Sequence, residues 1–490
     1  MKIIFIFNGS EHIGIEYLSS FIKSNGHTTS LLFDPAIFTG QSFLHLPLLG
    51  KCKNIDRRIV DKVITQKPDL ICFSCFTGNY AWCIQLANKI RNCLETPIVF
   101  GGVHPTAVPK SVLKNSCVDY VIVGEGEHAL LELLDNIKTG KESLHAINNL
   151  GYKANNEIFI NPLRPYIKAL DSLPLPDKDM FYDKVPMLAE MYAIITSRGC
   201  PFSCTYCSNN MTHRLYCEEK NHVRRRSANN VIEELRIAKS KYKIKSVMFL
   251  DDVFTVSYKW LQEFIPLYIR DIGIPFSCTT HPNFVKSNII ELLKQGGCWS
   301  IQLGIQSGSA RIRNDIFGRS ETNAKILESC QVIKEAKIKL FTDIIMGAPT
   351  ETVSDMNDSL DLLSAIKPDR LVTFFLTYYP GTEIVNIAQQ NKTITSYQCN
   401  EIEQGIIGYT HSSGSIAKDN IDMYRTFDLK AHLRVLLSTD KVYNVLSHIA
   451  SYLPCKGLLT SIVKLLVSLK IGNVRYSYYI RYILAKKSVP

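Results

Sequence analysis

Residues 200–207 read Cys200-Pro201-Phe202-Ser203-Cys204-Thr205-Tyr206-Cys207. Three thiolates at that spacing on one loop can converge on a single metal centre. Structural zinc usually takes four protein ligands, often from two separated Cys-x2-Cys pairs. No second pair follows at close range, and Cys217 and His213 are the nearby groups that could complete a zinc knuckle. Three cysteines suit a [4Fe–4S] cluster with one iron left open to an external ligand. Three separate structural cysteines are the plainest alternative. Most of the other cysteines are scattered singly (Cys52, Cys93, Cys117, Cys330, Cys399) and read as buried small hydrophobes.

The triplet follows a short apolar run, Tyr192–Thr196, that opens a strand–helix alternation. Further strands are expected at Ser246–Leu250, Phe276–Thr279, Ser300–Leu303, Leu340–Ile345 and Arg370–Leu376, with helices at Ala228–Lys239 and Thr322–Ala336 among those between them. Six such units predict a partial (β/α)6 barrel of the TIM type, with its site at the carboxyl ends of the strands. A second alternation precedes it. Lys2–Phe7, Thr28–Phe33, Asp69–Ser74, Pro97–Phe100 and Tyr120–Val123 read as short apolar strands alternating with helical patterns, which argues for a parallel, doubly wound, Rossmann-like sheet. Such sheets bind ligands beyond the carboxyl ends of their strands, where polar and glycine-rich segments fall: Asn8–Ser10, Ser74–Gly78, Gly101–His104 and Gly124–Glu127. The fold class is therefore α/β. The expected division is an N-terminal domain over 1–145, a Pro-rich connector over 146–188, the barrel over 189–400 and a mainly helical C-terminal region over 401–490.

The triplet, with aromatic Tyr206 before its third cysteine, closely resembles the radical S-adenosylmethionine (SAM) superfamily. The resemblance implies that Cys200, Cys204 and Cys207 hold the cluster, whose open iron binds the amino and carboxylate groups of SAM, and that Tyr206 lies near the adenine. Phe249–Thr255 is similar to the second-strand motif in the acidic form of the cobalamin-linked branch, and implies that Asp252 accepts from the SAM ammonium. Strand alternation favours Asp252 over Asp251, since only one of two adjacent side chains faces the barrel mouth. Leu303–Ser309 resembles the segment touching the SAM ribose and carboxylate, which gives Gln306 and Ser307 that role; many relatives carry Glu where Gln306 stands. Met346–Thr352 resembles the family's G-x-P-x-E-T turn and Tyr379–Glu383 its later PGT turn.

Phe100–Ala107 and Val118–Glu127 resemble the cobalamin-binding domain that precedes the barrel in class B-type members. The resemblance implies cobalamin contacts from Ser74, Gly101, Gly102, His104, Gly124, Glu125 and Gly126. A capping or turn role is equally open to His104. The D-x-H-x-x-G motif that supplies a cobalt ligand elsewhere is absent: His12 has no Asp two residues before it and the wrong glycine spacing. The family's best-attested chemistry is methylation of an unreactive carbon or phosphorus centre through a 5′-deoxyadenosyl radical and methylcobalamin. Radical cyclisation or rearrangement with the same cofactors is the alternative, and a tRNA-modifying enzyme or a non-catalytic cobalamin-binding protein stands behind it. The resemblance further implies an external electron donor such as flavodoxin or ferredoxin.

Composition limits the remaining partners. The chain has 490 residues, 46% hydrophobic and 21% charged, as expected of a globular enzyme and not of a disordered chain. No signal peptide is read at the N-terminus, so a cytoplasmic location is expected. The net charge of +11 is uneven: residues 430–490 hold ten Lys and Arg against Asp440, a net +9. Such a tail suits a local anionic partner, and nucleic acid is not the expected one. In Lys456–Lys470, Leu458, Leu459, Ile462, Val463, Leu465, Leu466 and Leu469 cover most of a helix, and Ser461, Lys464 and Ser468 form a polar stripe. The first expectation is that this helix packs its apolar face on the barrel and solvates its basic edge. The alternative is a peripheral membrane contact or a lipid-like substrate, joined by Tyr476, Tyr478, Tyr479 and Tyr482 beside Arg475, Arg481, Lys486 and Lys487.

Overall fold

The structure is a computed structural model that describes residues 1–34, 55–140, 143–219, 221–406, 421–437 and 439–471. Cys52 and the aromatic and basic residues at 475–487 lie outside the described residues.

The N-terminal sheet contains β1 (Lys2–Asn8), β2 (Thr28–Asp34), β3 (Leu70–Ser74), β4 (Ile98–Gly101), β5 (Tyr120–Ile122), β6 (Leu150–Ala154) and β7 (Glu157–Ile160), in the order β2-β1-β3-β4-β5-β6-β7. β1 to β5 are parallel, in keeping with the apolar runs at their centres. In β1, Ile3, Phe5 and Phe7 enter one core while Ile4 and Ile6 enter another, so both faces are covered. The order reverses between β1 and β3, which places the ligand crevice at their carboxyl ends.

The hairpin β6–β7 adds two antiparallel strands to this sheet from within the expected connector. Asn155 and Asn156 make its turn, with φ of 52° and 63°. A two-residue loop with positive φ at both positions matches the twist of a hairpin. The Asn-Asn pair was the available signal, and the nearby prolines masked it.

The second sheet contains β8 (Met191–Ile194), β11 (Ser246–Phe249), β12 (Phe276–Thr280), β13 (Cys298–Gln306), β14 (Lys339–Met346) and β15 (Arg370–Phe375). They are parallel, in the order β15-β14-β13-β12-β11-β8, with a short antiparallel pair, β9 (Ser197–Arg198) and β10 (Arg224–Arg225), above β8. The sheet curls into a half-barrel with helices on its convex side. Ile301, Leu303 and Ile305 of β13 and Leu340, Ile344 and Met346 of β14 pack towards those helices, so Gln302, Gly304, Gln306, Phe341 and Asp343 face the lumen. Helices Ile421–Leu436, Asp440–Ala450 and Lys456–Ile471 follow. Of the singly placed cysteines, Cys117 and Cys330 are buried, but Cys93 is exposed.

Lys178, in the connector, joins the two domains. Its buried ammonium meets Glu11 at 2.9 Å and Glu16 at 2.8 Å, both from the N-terminal domain, and donates to the Ala193 carbonyl of β8 at 2.6 Å. Burial alone would lower the Lys178 pKa, but Glu16 and Glu11 outweigh it and raise it. One ammonium faces two carboxylates, so burial raises Glu16, Lys178 opposes that, and Glu11 adds to it. Replacing Lys178 with Met should lower the unfolding free energy by about 3 kcal/mol or more, because it leaves buried carboxylates without a counter-charge. Adding Glu16→Gln should recover part of the loss. Chemical denaturation of the three variants checks both.

Candidate active site

The cysteine loop begins where β9 ends. Gly199 has φ of 88°, and a Cβ there would lie 2.0 Å from the His222 carbonyl oxygen, so only glycine can turn the chain into Cys200. The far side of the loop rests on residues 316–318: Thr205 donates its N–H to the Phe317 carbonyl at 3.1 Å and its hydroxyl to that of Ile316 at 2.6 Å. The Tyr206 ring meets Phe317 edge-on at 4.9 Å.

Two polar side chains that sequence reasoning missed face the thiols. Arg319 directs one guanidinium nitrogen at Cys204 Sγ (3.9 Å) and at the Tyr206 hydroxyl (3.4 Å), and another at the Gly304 carbonyl (2.8 Å). Glu321 pairs with it at 2.5 Å, and His281 stands 3.6 Å from Glu321. Burial, reinforced by Arg319, pushes His281 down to about 3, so it is neutral here. Asn209 donates towards Cys207 Sγ at 3.7 Å and to Asp252 at 3.2 Å. No motif announces Arg319 or Asn209, since their places depend on a loop and a helix end that meet only in the fold.

Burial pushes the Cys200 thiol up to about 12 and Cys207 to about 11, with Asp252 and Cys204 adding to the rise at both. Three thiols in electrostatic reach of one another, with no disulfide, fit a cationic iron cluster, which would favour their thiolates. Among the described residues no group of three or more His, Cys, Asp or Glu is drawn to metal-binding geometry, so the loop gathers the thiols without closing them into a cage. Of the groups a zinc knuckle would add, Cys217 is exposed and His213 is stacked on His222 at 3.9 Å.

The two aspartates after β11 have different surroundings. Asp251 is buried, accepts from the Thr196 N–H (3.1 Å) and hydroxyl (2.7 Å), and is bonded by the Ser197 hydroxyl, which ties β11 to β8. Asp252 opens to solvent at the mouth beside Asn209. It sits in a recess, and the protein around it, with a smaller push from Asp251, raises its carboxyl against the Asn209 hydrogen bond. Gln306 is at the end of β13, where the register shifts, with φ of 70°. Its amide folds back over Gly304, where a Cβ would lie 2.8 Å from it. The Ser307 hydroxyl is buried and accepts from the Ser309 N–H at 3.2 Å, a backbone role.

The lumen below is graded by depth. Trp299 meets Phe341 at 5.7 Å and Arg370 covers Phe341 at 5.4 Å, which closes the floor. Above them Gln302 donates to Asp343 at 2.5 Å, and burial raises Asp343 to about 6 despite that bond. Leu250 and Phe374 are exposed apolar side chains near the strand ends.

At the crevice of the N-terminal sheet, His12 and Ser74 meet across β1 and β3, with Nε2 3.5 Å from the Ser74 hydroxyl. The other ring nitrogen of His12 accepts from Ile15 N–H at 3.3 Å and caps the first helix, and burial lowers the ring to about 4. A Cβ on Gly101 would meet nothing within 4 Å, so the protein itself does not require glycine there, whereas a flat cofactor at the strand ends would. Gly102 is fixed by the fold: with φ of 103°, its Cβ would lie 2.5 Å from the Cys75 carbonyl oxygen. His104 is buried, bonded to Thr77 at 3.2 Å and packed on Tyr80 at 4.1 Å.

Gly124-Glu125-Gly126 faces the barrel domain. Glu125 pairs with Arg198 at 3.0 Å and Arg224 at 2.7 Å, and its other oxygen accepts from Ile167 N–H at 2.8 Å. Glu127 pairs with Arg198 at 2.6 Å. Burial would raise Glu125, but Arg198 and Arg224 outweigh it and hold it below the usual carboxylate range. A Cβ on Gly124 would strike the Tyr216 hydroxyl at 2.0 Å. The fold engages this motif in the domain contact, and both carboxylate oxygens of Glu125 are already partnered.

Residues 194–363 match the radical SAM superfamily and residues 9–134 the B12 binding domain. An uncharacterized methyltransferase of Pyrococcus horikoshii is 30% identical over 352 residues, 70% of this chain and 75% of that protein. The anaerobic magnesium-protoporphyrin IX monomethyl ester cyclase of Rubrivivax gelatinosus is 23% identical, over 76% of this chain and 65% of its own length. Among solved structures, the radical SAM methyltransferase TsrM of Kitasatospora setae, with cobalamin and a [4Fe–4S] cluster bound, superposes with a TM-score of 0.64 at 15% identity, covering 79% of this chain and 78% of TsrM. The chain belongs to the cobalamin-binding radical SAM family. It is a radical SAM enzyme whose cofactors are a [4Fe–4S] cluster, SAM and cobalamin.

The two aspartates should separate experimentally. Asp251→Asn removes a charged acceptor from the β8–β11 tie and should cost about 2 kcal/mol of stability, read from denaturation. Asp252→Asn should leave the unfolding midpoint unchanged and weaken SAM binding, read by calorimetry. Equal effects on SAM binding would count against Asp252.

Proposed function

We propose that this enzyme transfers a methyl group to an unactivated carbon or phosphorus centre of a small or lipid-like molecule held in the half-barrel lumen. The supporting observation is the junction of two sites: the cysteine loop leaves β9 immediately after Arg198, whose side chain is fixed by Glu125 and Glu127 at the ligand end of the N-terminal sheet. When bound, the cluster with SAM supplies a 5′-deoxyadenosyl radical and the cobalamin a transferable methyl group.

The chain's own residues have the remaining roles in this reading. Cys200, Cys204 and Cys207 ligate iron, and Arg319 and Asn209 orient two of those sulfurs. Asp252 accepts from the SAM ammonium, and Tyr206 and Gln306 border the nucleoside. Ser74 and Gly101 line the corrin side of the crevice. Asp343 and Gln302 fix a polar group of the substrate, while Leu250 and Phe374 shield its reacting centre from water. Electrons come from a carrier such as flavodoxin or ferredoxin. Kinship to the cyclase keeps ring closure without methyl transfer as the second reading.

The deciding experiment is anaerobic reconstitution with iron, sulfide and hydroxocobalamin, then incubation of cell extract with methyl-labelled SAM. Label in one small molecule is the expected result; a new ring with no label would favour the second reading. Replacing any one of Cys200, Cys204 or Cys207 with Ala should abolish 5′-deoxyadenosine release. His12→Ala should leave the absorbance of bound cobalamin unchanged, because that ring caps a helix; a spectral shift would show that it ligates cobalt.

A further inference from the structure

The C-terminal helices present apolar stripes outward. In Lys456–Ile471 the buried side chains are Lys456, Thr460, Val463, Val467 and Ser468, while Leu458 is 65% exposed, Ile462 47%, Leu466 45% and Leu469 68%. The first sequence expectation therefore holds in part: apolar side chains of this helix do pack on the core, but its basic edge is not wholly solvated, and a second apolar stripe looks outward. The cause is specific pairing beneath the helix: Lys456 meets Asp422 at 2.6 Å and Lys464 meets Asp428 at 3.1 Å, both on the helix Ile421–Leu436. The helix Asp440–Ala450, packed on the same support, repeats the pattern. Tyr443 and Ala450 face in, while Val442, Val445, Leu446 and Ile449 face out at helical spacing, followed by Tyr452, 77% exposed. Exposed Lys441 and Lys470 stand beside the two stripes.

We propose that this face binds the surface of an anionic lipid bilayer, with both apolar stripes inserted at the headgroup level and the flanking lysines on lipid phosphates. Two parallel observations favour a bilayer over other occupants. Each stripe is aliphatic with a lysine at its margin, the composition of an interfacial helix. Residues 421–490, with Asp422 and Asp428 included, hold eleven Lys and Arg against three Asp, a net +8, which complements anionic lipid and would oppose a second copy docking on itself across a twofold axis. The contact is peripheral: no helix among the described residues is long and apolar enough to cross a membrane. The inference stands independently of the methyl-transfer reading, since it concerns attachment and not chemistry.

The test is co-sedimentation of the full chain with vesicles of phosphatidylcholine alone and of phosphatidylcholine mixed with phosphatidylglycerol. The protein should bind the mixed vesicles at least about tenfold more tightly, and added salt should weaken that binding. The combination Leu458→Glu, Leu465→Glu and Leu469→Glu alters outward positions and should abolish binding with unchanged circular dichroism. Lys441→Glu with Lys470→Glu should remove the preference for anionic lipid while leaving the apolar stripes intact. Absence of binding to either vesicle, or equal binding by wild type and both variants, would overturn the proposal. So would a dimer in analytical ultracentrifugation that the leucine substitutions dissolve, which would make a second copy the occupant.

Discussion

The geometry of this protein depends on a charge cluster between its two domains. Arg198 stands two residues before the first cysteine of the cluster loop and is held by Glu125 and Glu127 of the cobalamin-binding domain, with Arg224 completing the set. Charges this sheltered are stable only when each has its partner, because the cost of removing them from water is recovered only by close contact. Docking is therefore not a loose association of two lobes. The guanidinium of Arg198 also lies 5.3 Å from the Tyr17 ring, so its direction is fixed as well as its charge. Gly199 then has no freedom, and Cys200 starts from a position set by the other domain.

Polarity in the barrel follows from the same economy of buried charge. Strand parity sends Gln302 and Asp343 inward at neighbouring heights, and the aromatic and guanidinium floor below them excludes a second polar layer. A carboxyl raised by burial in an otherwise apolar space is one that a ligand with a hydrogen to donate can stabilise. The lumen thus holds the Gln302–Asp343 pair at depth, below a mouth that carries Asp252 and Asn209 together with the apolar Leu250 and Phe374.

Much of this was legible in the sequence where one local rule dominated. Short apolar runs recurring between helical patterns marked most of the parallel strands, because the sheets are covered by helices. Three cysteines in eight residues marked the head of the barrel. Alternation alone separated Asp251, which ties two strands, from Asp252, which opens to the mouth. The rest depended on partners far away in the chain. Gly124-Glu125-Gly126 reads as a cofactor turn, but its surroundings are Tyr216, Arg198 and Arg224, which only folding brings there. Arg319 has no motif because its targets, Cys204 and Gly304, lie on other elements. For the helix Lys456–Ile471, periodicity did not show that apolar side chains lie on both faces, Val463 and Val467 inward and Leu458, Ile462 and Leu469 outward, nor that Asp422 and Asp428 would draw Lys456 and Lys464 beneath it.

The interdomain charges also bear on modularity. Cobalamin-binding and radical SAM domains occur in sequence as separable units, and an engineer would be tempted to exchange one lobe between relatives. A graft cut in the connector would carry Glu125 and Glu127 on one side and Arg198 and Arg224 on the other, with Lys178 belonging to both. A donor lobe lacking the complementary pair would present unmatched carboxylates to the place where the cysteine loop begins. Compatibility between lobes in this chain thus rests on Glu125, Glu127, Arg198 and Arg224 and on Lys178 with Glu11 and Glu16, and a chimera has to inherit them together.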